Sequence, residues 1–124
     1  GRKAMCSYFV NVTSNERETV ETKERLLHYF HGILPAFPAD RATAPPHIRY
    51  FVDIVERMQT MTTGDLGDRS IITGNPEDCI KVLKDCEAAG IEEVILYFGF
   101  GGWDHSETMD SMERVAKELS PHFD

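Results

Sequence analysis

No apolar run in these 124 residues approaches the ~20 residues that a membrane span needs. Basic charge is scarce as well: 13 basic residues stand against 21 acidic ones, a formal net charge of -8. The first absence excludes a membrane-spanning helix. The second argues against nucleic acid or anionic lipid as a partner, since both require basic surface. The acidic excess reads instead as a solvated surface. Cysteine is limited to Cys6, Cys79 and Cys86, with no CxxC pair. Set within apolar patterns, the three read as small buried hydrophobes in a reducing, cytoplasmic compartment rather than as metal ligands or a disulfide framework.

Other signatures are missing too. His28 and His31 have a spacing that can hold a metal, but no third ligand lies near them in sequence, and a solvated or stacking role fits a charged helix. No G-x-S-x-G nucleophile motif accompanies His47 or His122. Asp85, Glu87, Glu92 and Glu93 read as solvated ends of a helix and a strand. Asn11-Val12-Thr13 matches a glycosylation sequon but falls at a strand end with no secretory context. Gly1-Arg2-Lys3-Ala4 begins no signal peptide. The chain starts without methionine and reads as a processed, cloned or excised piece.

What is present suits one globular α/β domain over residues 1–124, with 41% hydrophobic and 27% charged residues. Residues 4–12 (AMCSYFVNV) read as a strand. Thr13 and Glu16 have capping-box spacing, and a charged helix should follow to Ile33 with Val20, Leu27, Phe30 and Ile33 on its apolar stripe. The proline-rich stretch 34–46 cannot continue a helix and reads as an ordered loop or a linker. Helical spacing resumes at 48–61, where Ile48, Phe51, Val52, Val55, Met58 and Met61 share a face.

Residues 70–73 form a short strand in this reading. Asn75 caps the next helix, Pro76 suits its first turn, and Gly90 supplies its left-handed end. Residues 91–98 hold the run VILYF, continuously apolar as a strand covered on both faces should be. Ser106 opens a last helix with Met109, Met112, Val115, Ala116 and Leu119 inward, and Pro121 ends it. Strands alternating with helices imply a parallel sheet, and ligands in such folds sit at the carboxyl ends of strands. The turn Phe98-Gly99-Phe100-Gly101-Gly102 stands at such an end.

A strand entering Gly74-Asn75-Pro76-Glu77, a helix ending Ala88-Ala89-Gly90-Ile91, a strand through Val94-Ile95-Leu96, then Phe98-Gly99-Phe100-Gly101-Gly102 and His105 resembles the C-terminal part of the bacterial-luciferase-like flavin-dependent monooxygenases. The preceding helix, proline-bearing stretch and His47-Ile48-Arg49-Tyr50-Phe51 fit the part before that family's last two strands, so the resemblance spans nearly the whole chain. It implies a partial (β/α)8 TIM barrel: the last three βα units plus an extra helix. It also implies an oxidoreductase that uses FMN as reduced flavin (a deazaflavin in some members) to oxidise a small organic substrate. Much of the family's flavin site comes from earlier strands. The resemblance therefore implies a chain that contributes part of the pocket, binds no flavin alone and is inactive alone.

Each candidate site residue has two readings. Gly101 and Gly102, with Gly99, form either an anion-binding nest of amides or a tight βα turn. Phe100 and Trp103 are either substrate- or flavin-facing walls or aromatic cover for the end of the sheet. His105 is either an acid–base group or an ordinary residue at a helix start. Three parallel strands leave two open edges and bare apolar helix faces, which predicts a homo-oligomer or strand rearrangement. A second functional class follows from the same point: a stand-alone, non-catalytic α/β module that oligomerises or binds a partner chain. A weaker third is a small ligand-binding domain that uses the 99–102 turn for phosphate.

Overall fold

The computed structural model describes residues 2–123. Strand β1 (Met5–Val12) leads into α1 (Glu16–Ile33), and α2 (Tyr50–Gln59) follows the proline-rich stretch. Then come β2 (Ile71–Gly74), α3 (Pro76–Ala88), β3 (Glu93–Tyr97) and α4 (His105–Arg114), which runs on into a π turn (Val115–Leu119). The sheet is parallel throughout, in the order β2-β1-β3. Phe9 pairs with both Ile71 and Tyr97, so β1 is central.

Strand parity assigns the two cores. Val10, Val12 and Ile72 point to one face and pack with Cys79 of α3 and with Val115 and Leu119 beyond α4. Phe9 and Ile71 point to the other, against Leu26 and Phe30 of α1, Leu66 and Phe100. Helices thus cover both faces, and the first crossover steps one way from β1 while the second steps the other. This is the arrangement of an open, doubly wound sheet. In a (β/α)8 barrel consecutive strands adjoin and the helices form one outer ring. The chain is parallel α/β, as its alternation implies, but its strands do not stand in the 1-2-3 order of adjacent barrel units. Three units cannot close a barrel, and helices on both faces bury apolar side chains that a one-sided cover would leave in water.

Local signals explain most boundaries. Asn75 Oδ1 accepts from the Asp78 amide at 2.9 Å with Pro76 in the first turn, and Gly90 takes φ +92°, both as the sequence implies. The proline-rich stretch is tied in place: Ala44 is buried, its amide donates to Asp40 O at 2.9 Å, and Arg41 pairs with Asp53 of α2. Val52 and Val55 are the buried positions of α2.

Several expectations are corrected. The cap of α1 is Asn15, whose Oδ1 accepts from the Glu18 amide at 2.9 Å while Glu18 Oε2 accepts from the Ser14 amide at 2.8 Å. Thr13 instead extends the sheet, its amide donating to Gly74 O at 2.8 Å. Val20 is consequently exposed, and Thr22 and Leu26 take the buried stripe. Asp104, not Ser106, caps α4, in a box with Glu107. Met109, Met112 and Ala116 face outward, because the buried positions, Ser111, Val115 and Leu119, recur every four residues. Strand β3 is covered on one face only: Val94 and Leu96 turn inward, while Ile95 and Tyr97 are 48% and 50% exposed. Of the cysteines only Cys79 is buried; Cys6 and Cys86 are half-buried.

Candidate functional site

Because the chain leaving β1 runs to one face of the sheet and the chain leaving β3 runs to the other, the carboxyl ends of β1 and β3 frame a crevice, the position that open α/β sheets give to ligands. A cleft of about 200 Å³ lies there, between α1 and α4. Its floor is Asn11, near the end of β1. The Asn11 Nδ2 donates to Thr22 Oγ1 at 2.8 Å, and its Oδ1 accepts from Ser111 Oγ at 2.9 Å. One amide thus joins β1, α1 and α4, which explains why Thr22 and Ser111 are polar yet buried.

Two arginines bound the cleft, and both are engaged. Arg25 donates from Nη1 to Glu107 Oε2 at 3.1 Å and from Nη2 to Glu21 Oε1 at 3.3 Å. The hydrogen bond to Glu107 is the main reason that its guanidinium is held above its ordinary pKa. The guanidinium carbon also sits 5.1 Å from the centre of the Trp103 ring, within cation–π range. Arg114 donates to Val12 O at 3.0 Å and lies 3.8 Å from Glu18 Oε2. Asp110 completes the rim, so Glu18, Glu21, Glu107 and Asp110 outnumber the two cations. The Trp103 Nε1 is shielded from solvent and has no hydrogen-bond partner among the described residues.

Of the residues singled out from sequence, Trp103 lines this cleft. Phe100 is buried behind it, 5.3 Å from Trp103 and from Phe9 between ring centres. Gly101 has φ +72°, and a Cβ there would lie 2.4 Å from Arg25 O, so this glycine lets the turn press against α1. Gly102 has open space around its missing Cβ. His105 is the first residue of α4 and is exposed outside the cleft lining. His31 Nε2 lies 3.1 Å from Met58 O, tying α1 to the end of α2. Among the described residues, no group of three or more His, Cys, Asp or Glu side chains is placed to hold a metal ion, and no helix is long and apolar enough to cross a membrane.

Sequence reasoning missed every cleft residue but Trp103, among them Asn11, Arg25, Glu107, Ser111 and Arg114. The one available signal was polarity at inward positions: an asparagine late in an apolar strand, and Thr22 and Ser111 on the buried sides of helices.

Comparison with protein-family models finds no match for this chain. Comparison with curated proteins finds none either.

Proposed function

We propose that the chain is the C-terminal portion of a luciferase-like, flavin-dependent oxidoreductase and supplies one wall of that enzyme's pocket. The observation that carries this reading is the order of residues from Gly74-Asn75-Pro76-Glu77 to Phe98-Gly99-Phe100-Gly101-Gly102 and His105, with the glycine turn at the carboxyl end of β3. On this reading Trp103 and the Gly101–Gly102 backbone border the pocket, and in the whole enzyme the strands would stand in the 1-2-3 order of a barrel rather than the β2-β1-β3 order of this chain.

The residues present do not fit a whole flavin. The cleft of about 200 Å³ is smaller than the roughly 300 Å³ at which ligand pockets begin. Its carboxylates outnumber its arginines, and those arginines are already bonded within the protein, which leaves no free cation there for a phosphate. The isolated chain is therefore expected to bind no FMN and to oxidise nothing. Titration of FMN against Trp103 fluorescence tests this, since Trp103 is the sole tryptophan: saturable quenching at micromolar flavin would overturn the claim of an incomplete site. The parent reading is tested by the reading frame upstream of Gly1, where five further βα units are expected. An upstream frame lacking βα periodicity would sink it.

A second reading is favoured by one observation. The β3 side of the sheet face that α1 covers is bare, with Met5, Ile95 and Tyr97 respectively 56%, 48% and 50% exposed. Such a surface beside an open strand edge suits a module that assembles with another chain or a second copy. A concentration-independent monomer in sedimentation analysis would remove that support.

A further inference from the structure

β3 stands at the edge of the sheet, in the order β2-β1-β3. Glu93 lies opposite Met5, and its amide donates to Ala4 O at 3.3 Å, an acceptor shared with the Glu92 amide just before the strand. In a parallel pair alternate residues supply the bonds to the neighbour, so Glu93, Ile95 and Tyr97 turn their amides and carbonyls to β1. Those of Val94 and Leu96 point the other way, to the open edge. The strand EVILY holds no lysine, arginine or proline, and its single charge, Glu93, stands at its amino end. Its register with β1 runs unbroken from Glu93 to Tyr97. The usual guards of an edge strand are therefore missing. The opposite edge, β2, is guarded by its shortness, four residues ending at Gly74.

We propose that a second copy of the chain occupies this edge, its β3 pairing antiparallel with the first about a two-fold axis through Ile95, so that two three-stranded sheets become one. The inference rests on the second reading above, of a module that assembles, and names its partner. Val94 then opposes Leu96 of the second copy, and Leu96 opposes its Val94, so the outward amides and carbonyls of both residues gain their bonds. Ile95 meets its own counterpart at a non-hydrogen-bonded position, where side chains approach most closely. Both are half-exposed in the single chain. Charge selects this arrangement. Each Glu93 faces a Tyr97, and the two carboxylates stand as far apart as Glu93 is from Tyr97, about 13 Å along a strand. That exceeds the Debye length of ~8 Å at physiological salt. Parallel pairing would set Glu93 against Glu93. Sliding the antiparallel register towards the amino end would set it against Ile95.

The unmodified chain supplies the main test. Sedimentation velocity over a concentration series locates the monomer and dimer ranges, and amide hydrogen exchange is followed by NMR in each. In the monomer the Val94 and Leu96 amides should exchange freely while those of Ile95 and Tyr97 are protected. In the dimer Val94 and Leu96 should slow by about tenfold or more. A geometric check uses a chain carrying Cys6→Ser and Cys86→Ser. Adding Ile95→Cys should give a disulfide-linked dimer on oxidation, since the two sulfurs meet at the axis. Adding Tyr97→Cys instead should not, since its two copies lie at opposite ends of the ribbon. A monomer at every concentration would overturn both this inference and the assembly reading beneath it. A dimer in which Val94 and Leu96 exchange as fast as in the monomer, or in which Tyr97→Cys cross-links as readily as Ile95→Cys, would overturn the pairing alone and leave assembly standing.

Discussion

A Cβ on Gly101 would stand 2.4 Å from the backbone oxygen of Arg25. The glycine turn after β3 and the middle of α1 therefore touch backbone to backbone. Since the obstacle is main chain, no rotamer change relieves it. Gly101→Ala is expected to cost about 3 kcal/mol, combining overpacking with the penalty for a left-handed alanine. Gly102→Ala, with open space at its Cβ and φ +79°, should cost only the backbone part, about 1 kcal/mol. Urea unfolding of the two variants checks the difference; equal losses would show that the close contact carries no weight.

The features legible from sequence are those decided within a few residues. Asn75, Pro76 and Gly90 announced the ends of α3 through local chemistry, and all three do what their residue types imply. The start of α1 was harder because two boxes overlap, Thr13 with Glu16 and Asn15 with Glu18. The winner depends on Thr13 bonding to Gly74, far along the chain. Strand order and the one-sided cover of β3 are likewise tertiary facts: an apolar run such as VILYF reads alike whether both faces are covered or one is left open. The cleft was hidden for the same reason. Asn11, Thr22 and Ser111 become a site only when β1, α1 and α4 converge.

Arg25 and Trp103 offer an optical test of that convergence. The guanidinium covers the indole while bonding Glu107, so Arg25→Gln should uncover the ring and move the single tryptophan's emission to longer wavelength. The stability cost should be about 1 kcal/mol, since these charges are partly solvated. An emission maximum identical to that of the unmodified chain would mean that Phe100 alone positions Trp103.

At the open side of the sheet, Ile95→Lys is expected to suppress self-association without unfolding the chain. The side chain is already half in water, and lysine on an exposed edge is a common natural guard against strand pairing. Sedimentation velocity across a concentration series checks this. Association that persists unchanged in the variant would place the contact elsewhere, with the exposed Met109 and Met112 of α4 the next surface to alter.

Cys79 gives the fold a defined alkaline limit. Burial, chiefly, and then the nearby Asp78 and Glu118 carboxylates push its thiol from 9.0 to about 12. A thiol raised on folding favours the folded state while it is protonated in both states, which holds below pH 9.0. As pH rises from there towards 12, the unfolded chain releases the proton and the folded chain does not, so this contribution to stability is progressively lost. The unfolding midpoint should therefore fall over that window, and Cys79→Ala should show a shallower fall from a lower starting stability. In parallel, iodoacetamide at pH 9 should label Cys6 and Cys86 and spare Cys79 until denaturant is added. Labelling of Cys79 in the native chain at the rate of Cys86, or a pH slope untouched by Cys79→Ala, would refute the assignment.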